Sequence, residues 1–202
     1  VSKKYNDSRD TIQNGDIILY RGSSLMAHSI QYLDKAYYNH VGVVWKVEDP
    51  DTKEYRLLTM DMWTKGLCLV PLSERMSEYD DFCIIRPVVK DAVTDSAIFS
   101  SLKQWEGKIG YDYMLLLRIA LIKKMGVDIS NLGKSDKYIC SEFAQYYCSL
   151  LNITTYDNIK LITPEDFRRF IDSNFNIMLD DAPSVKYHNT KKVWSLKGTY
   201  NI

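Results

Sequence analysis

His40-Val41-Gly42-Val43-Val44-Trp45-Lys46-Val47 is a short run dense in β-branched residues, and the turn residues Asp49-Pro50-Asp51 and a second apolar run, Tyr55 to Met62, follow it. Together these three pieces predict a β-hairpin. Upstream, Asn14-Gly15 is a turn signal and Asp16-Ile17-Ile18-Leu19-Tyr20 reads as a buried strand that ends near Arg21-Gly22. Downstream, Leu67 to Leu72 and Phe82 to Arg86 are apolar runs of strand length. Between the first strand and the hairpin, Met26, Ile30, Leu33 and Tyr37 recur at helical spacing behind the cap residues Ser23 and Ser24, which places His28 on the outer face of a helix. The first half of the chain is therefore mostly β.

After Pro87 the period changes. Ile98, Leu102 and Trp105 follow Thr94-Asp95 at helical spacing and Gly107 closes the segment; Tyr113 to Lys124 predicts a further helix, and Ser130 to Lys137 a polar loop. The clearest stripe is Cys140, Phe143, Ala144, Tyr147, Cys148 and Leu151, one face of a helix that Cys140 opens. Thr163-Pro164-Glu165-Asp166 supplies a cap, a proline suited to a first turn and two acids ahead of Phe167, Phe170 and Ile171. In the tail from Asp180 onward, Val193-Trp194-Ser195-Leu196 predicts an edge strand. The fold class that results is α+β, an antiparallel sheet or partial barrel packed against helices.

A chain of 202 residues, 46% of them hydrophobic, suits one domain over 1–202 with its core at about 14–175. Lysine and arginine total 26 and aspartate and glutamate 26, so no net field draws the chain to nucleic acid or an anionic membrane, and partner choice falls to a local site. The longest apolar stretch, Met114 to Ile122, is broken by Arg118 and falls short of the roughly 18 residues of a membrane span, so no integral membrane segment is expected. Val1 to Asp10 is polar and unlike a secretory leader; the compartment stays open, and a chain starting at Val is compatible with a processed extracytoplasmic protein. Cys68, Cys83, Cys140 and Cys148 are too few and scattered for a disulfide framework and contain no CxxC pair, so neither a metal nor a cofactor is expected.

The cysteines point to chemistry instead. Cysteine is nucleophilic as thiolate, and a helix N-terminus stabilises that anion through its unpaired amides. Cys140 stands at such a position. A cysteine on an apolar stripe is also an ordinary core residue; Cys148 fits that role, as do Cys68 and Cys83 within strands. Of three histidines, His188 lies in the polar tail, His28 lies on the outside of a helix, and His40 opens an apolar strand, where its ring can serve as base at the rim of a sheet. Asp61, a charge within the apolar return strand of the hairpin, is costly to bury unless paired and is the candidate partner of the imidazole. Glu48 and Glu54 flank the turn and read as solvated.

The stretches Gly15-Asp16-Ile17-Ile18-Leu19, Asn39-His40-Val41-Gly42-Val43-Val44, Tyr111-Asp112-Tyr113, Tyr138-Ile139-Cys140-Ser141-Glu142-Phe143 and Thr163-Pro164-Glu165-Asp166, in this order, resemble the circularly permuted papain-like proteins of the NlpC/P60 superfamily, and among them the YiiX/YaeF-like branch. The resemblance implies a sheet that carries the histidine, a helix whose first turn carries the cysteine, and a chain order opposite to that of papain. It implies a catalytic set of Cys140, His40 and Asp61, with Asp61-Met62 where the family more often has Glu-Ala, and a substrate-lining role for Tyr111. Glu142 matches the family too, and an acid in a first helical turn is also explained by helix polarity.

The expected function is a cysteine hydrolase that cleaves amide or ester bonds through a thioester acyl-enzyme, with a cell-wall peptide or an acyl-amide lipid as substrate. The alternatives are an acyltransferase similar to the lecithin:retinol acyltransferase group and a non-catalytic module that binds cell-wall peptide or lipid. Oligomeric state is not legible in the sequence.

Overall fold

The computed structural model describes residues 3–63, 65–79, 81–88, 94–106, 110–112, 137–153, 163–169 and 175–182, with backbone alone at 25, 26, 33 and 34. Among these, the strands are β1 (Ile17–Arg21), β2 (His40–Glu48), β3 (Tyr55–Trp63), β4 (Gly66–Pro71), β5 (Asp81–Pro87) and β6 (Phe175–Asp180). The helices are α1 (Lys3–Ser8), α2 (Leu25–Asp34), α3 (Leu72–Glu78), α4 (Asp95–Trp105), α5 (Cys140–Leu150) and α6 (Pro164–Arg169).

The strands form one sheet in the order β4-β3-β2-β1-β5-β6, with every neighbouring pair antiparallel. Ile17, Leu19, Val41, Val43, Met60 and Met62 face Ile98 and Trp105 of α4 and Phe143, Ala144 and Tyr147 of α5. On the other face, Ile18, Tyr20, Val44 and Leu57 meet Tyr5 of α1 and Leu72 and Met76 of α3. Helices cover both faces of the central strands, which is why Ile17 to Tyr20 is continuously apolar rather than alternating.

Two expectations need correction. The helix expected to reach Tyr37 ends at Asp34, because Lys35 takes a left-handed conformation (φ 49°) and the Ala36 N–H returns to the carbonyl of Gln31. The run Leu67 to Leu72 is not all strand. Pro71 closes β4 and Leu72 begins α3, a helix of 7 residues whose only apolar signal is Leu72 and Met76 one turn apart. Among the described residues β6 (Phe175–Asp180) forms that edge of the sheet, a strand not expected from the sequence. The predicted helix Tyr113–Lys124, the loop residues 130–136 and the strand at Val193–Leu196 lie outside the described residues.

The motifs hold the segment that leads into β2. Glu165, buried at the start of α6, accepts hydrogen bonds from the backbone N–H groups of Tyr37 (2.8 Å) and Tyr38 (3.0 Å). Asn39 and Gly22 exchange two hydrogen bonds of 3.1 Å each, which tie the end of β1 to the residue before His40. Tyr38 donates to the Phe82 carbonyl and to Asp180. Among the described residues no helix is long and apolar enough to cross a membrane.

Candidate active site

The site grows from the end of β2 where the sheet opens. The β2–β3 ladder runs from Glu48 opposite Tyr55 to Gly42 opposite Asp61. One residue further on, the backbone amide of Val41 lies near the sulfur of Cys140 and helps to favour its thiolate. His40, paired with Tyr20 of β1, follows. The split in the ladder is thus where α5 brings its first residue up to the sheet.

Cys140 is 1% exposed. Ile139, extended at φ −110° and ψ 164°, precedes the helix, and the Glu142 carboxylate accepts the Ile139 N–H at 3.0 Å, closing the first turn. Tyr111 arrives on a separate segment: it forms a parallel bridge with Tyr138, Asp112 N–H donates to the Tyr138 carbonyl at 3.1 Å, and the Tyr111 hydroxyl lies 3.6 Å from Sγ of Cys140.

Asp61 is wholly buried. Its Oδ1 accepts from the Thr59 hydroxyl at 2.8 Å, which itself accepts from the Tyr20 hydroxyl at 3.1 Å, and its Oδ2 accepts from Nε of Arg75 at 2.8 Å. His40 Nε2 stands 3.8 Å from the same Oδ2 and is buried without a hydrogen-bond partner. The Asp61 carboxylate thus reaches the imidazole to within ion-pair distance, one short step beyond a hydrogen bond. The Trp63 ring lies 4.9 Å from the imidazole, centroid to centroid.

Cysteine and histidine bias each other. Burial pushes the imidazole of His40 down, and the Cys140 thiolate with the Asp61 carboxylate drive it up more strongly, well above its ordinary value. Burial pushes the Cys140 thiol up; the His40 imidazolium, the Tyr111 hydroxyl and the Val41 amide together bring it below its ordinary value. Burial pushes the thiols of Cys148 and Cys83 far up, and at Cys83 it outweighs the opposing charge of Arg168. Both are core residues, as their stripes predicted. Cys68 is not: on the edge strand β4 it is half-buried, its thiol 3.6 Å from the Gly66 carbonyl.

A cleft of about 480 Å³ opens onto His40 and Tyr111, walled by Trp63, Tyr79, Ala27 and Glu78. Of the four residues named in advance, His40 and Tyr111 line this cleft, while Cys140 and Asp61 lie buried behind them, Cys140 beside Tyr111 and Asp61 beside His40. His28 is exposed on α2, where it bonds Gln31, and His188 lies outside the described residues. Two members were not foreseen. Thr59 was findable, since strand alternation puts it on the face of Asp61; Arg75 was not, because its helix went unrecognised.

No family model and no curated protein matches the chain. Among solved structures it is similar to the crystal structure of metalloprotein yiiX from Escherichia coli O157:H7. The two share 16% identity over 85% of this chain and 98% of that one, with a TM-score of 0.48. Among the described residues of this chain no group of three or more His, Cys, Asp or Glu side chains is placed to hold a metal ion.

Glu142 supplies a pH test of the helix that presents Cys140. Burial pushes its carboxyl up and the charge of Asp112 adds to this against the Ile139 N–H, leaving it at about 7. A carboxyl whose pKa is higher folded than unfolded keeps its proton preferentially in the folded chain, so stability falls as pH rises from the ordinary 4.5 through about 7. Glu142→Gln keeps an oxygen for the Ile139 N–H and removes the charge. Its Tm, relative to wild type, is expected to be higher at pH 8 than at pH 5. Equal differences at both pH values would refute this account of Glu142.

Proposed function

We propose that this protein is a cysteine hydrolase of the permuted papain-like kind, with Cys140 as nucleophile, His40 as base and acid, and Asp61 as the residue that orients His40. The observation that carries the reading is the meeting of Cys140, at the start of α5, with His40, at the opening end of β2, each favouring the charged form of the other. A thiolate formed this way needs no external base in the ground state. Fold class supports the reading as well: an antiparallel sheet that carries the histidine is packed against a helix that carries the cysteine.

In the reaction we infer, the Cys140 thiolate adds to the carbonyl carbon of an amide. The backbone N–H of Cys140, in the first turn of α5, receives the developing oxyanion. His40 then gives its proton to the leaving nitrogen, the C–N bond breaks, and a thioester remains on Cys140. Water, deprotonated by the now neutral His40, attacks the thioester and releases the acid. Nε2 of His40 is 3.8 Å from Asp61, which leaves Nδ1 as the nitrogen we assign to exchange the proton with the thiol. Tyr111 lines the entrance and touches the sulfur.

The substrate class is an amide of a cell-wall peptide or of an acyl lipid. The test is product analysis with both kinds of amide, for wild type and Cys140→Ala. Free acid from wild type and none from Cys140→Ala is the expected result. Acyl transfer to an added amine or alcohol in place of hydrolysis identifies an acyltransferase. Equal turnover by both proteins, or binding without turnover, defeats the hydrolase reading.

A further inference from the structure

Asp61, wholly buried, presents an anion 3.8 Å from the imidazole. A full charge there would favour the imidazolium and disfavour the thiolate beyond it, and both steps that form and dissolve the thiolate–imidazolium pair would move to higher pH. Arg75 stands against that charge. Its Nε donates at 2.8 Å to the same Oδ2 that faces His40, and the two side chains are 6% and 0% exposed. The guanidinium is itself fixed, by Glu78 on Nη1 at 2.8 Å and by the Trp63 ring at 5.1 Å. Glu78 is 46% exposed, so water screens its charge, and the buried balance is one carboxylate against one guanidinium.

We propose that Arg75 is a positioning residue for the Cys140–His40 pair: by occupying Oδ2 of Asp61 it fixes that carboxylate under the imidazole and offsets its charge, so that the thiolate–imidazolium pair exists at neutral pH. This rests on the nucleophile reading above. Among the described residues, the other ionisable groups around the pair are Tyr20 from β1, Tyr79 beyond α3, Tyr111 on its own segment, and Glu142 of α5 with Asp112 beside it. Tyrosines are neutral at pH 7. Of the charged groups, Arg75 is the one whose removal leaves Asp61 uncompensated.

The test is the rate of Cys140 alkylation by iodoacetamide across pH 4 to 10 in the full chain, for wild type, Arg75→Met and Arg75→Lys, with folding followed by circular dichroism. In Arg75→Met the acid limb is expected to move to higher pH by roughly one unit. Arg75→Lys, which keeps the charge but loses the fork of donors, is expected to stay nearer wild type. Coincident profiles for Arg75→Met and wild type overturn the proposal, as does a Lys variant displaced as far as the Met variant. If Arg75→Met does not fold, with a lone carboxylate buried, Asp61→Asn and Asp61→Asn/Arg75→Met carry the test. The double variant is expected to titrate at higher pH than the single one, and coincidence overturns the proposal. A wild type labelled no faster than an ordinary thiol defeats the nucleophile reading itself; a fast wild type with coincident profiles defeats only the role of Arg75.

Discussion

His40→Ala is expected to slow alkylation of Cys140 at pH 7 by roughly 30- to 100-fold. An ordinary thiol, titrating near 8.5, is about 3% thiolate at pH 7, whereas a thiol paired with an imidazolium is mostly ionised. Removing the imidazole takes away the strongest influence that lowers the Cys140 thiol and leaves the burial that raises it. The Tyr111 hydroxyl and the Val41 amide remain and limit the loss. The shape of the pH profile should change as well. Wild type is expected to label at a nearly constant rate through neutral pH, and the variant at a rate that climbs about tenfold per pH unit up to the pKa of an isolated thiol. Peptide mass spectrometry of iodoacetamide-treated protein reads this, with half-buried Cys68 as internal reference. A variant labelled as fast as wild type at pH 7 would remove His40 from the mechanism.

The second large effect concerns a residue with no side chain. Gly42 lies opposite Asp61, and a Cβ at position 42 would stand 2.0 Å from Oδ1 of Asp61 and 2.5 Å from Oγ1 of Thr59. Neither neighbour can yield cheaply. Asp61 is held by Thr59 and Arg75, and Thr59 by Tyr20. Gly42→Ala is therefore expected to cost about 3 kcal/mol, from overpacking and from displacing a buried, hydrogen-bonded carboxylate. For a chain of this size that lowers Tm by roughly 6 to 12 °C. Moving Asp61 also loosens the imidazole, so labelling of Cys140 should slow in the protein that remains folded. Thermal unfolding measures the first effect and alkylation at low temperature the second. A Tm within about 1 °C of wild type would mean that Asp61 is free to move aside.

Gly42 also illustrates how far the sequence can be read. In His40-Val41-Gly42-Val43 a glycine looks like a weak point in a strand, and only the register of β2 against β3 reveals that it makes room for Asp61. Glu165 behaves similarly. Its place in the first turn of a helix was legible, while its hold on the backbone of Tyr37 and Tyr38 depends on α6 lying beside the approach to β2. Arg75 was hidden twice over, in a helix too short for periodicity to register and in a partner reached only across the fold.

By itself the sequence determined the strands of the hairpin and of β1 and the helices α4 and α5, and it singled out the residues proposed to react. It could do so because hydrophobic period, caps and turns are local properties, and because His40 opens a buried strand whereas His28 lies exposed on a helix. Tertiary structure decided the rest. It brought Asp61 to His40 and Tyr111 to Cys140, gave Cys140 and Cys148 opposite environments on the same helix face, and set Arg75 against Asp61. The reason is physical. The ionisation of a buried thiol or carboxylate depends on charges and amides within a few ångströms, and those neighbours come from strand order and helix docking rather than from adjacent positions in the chain.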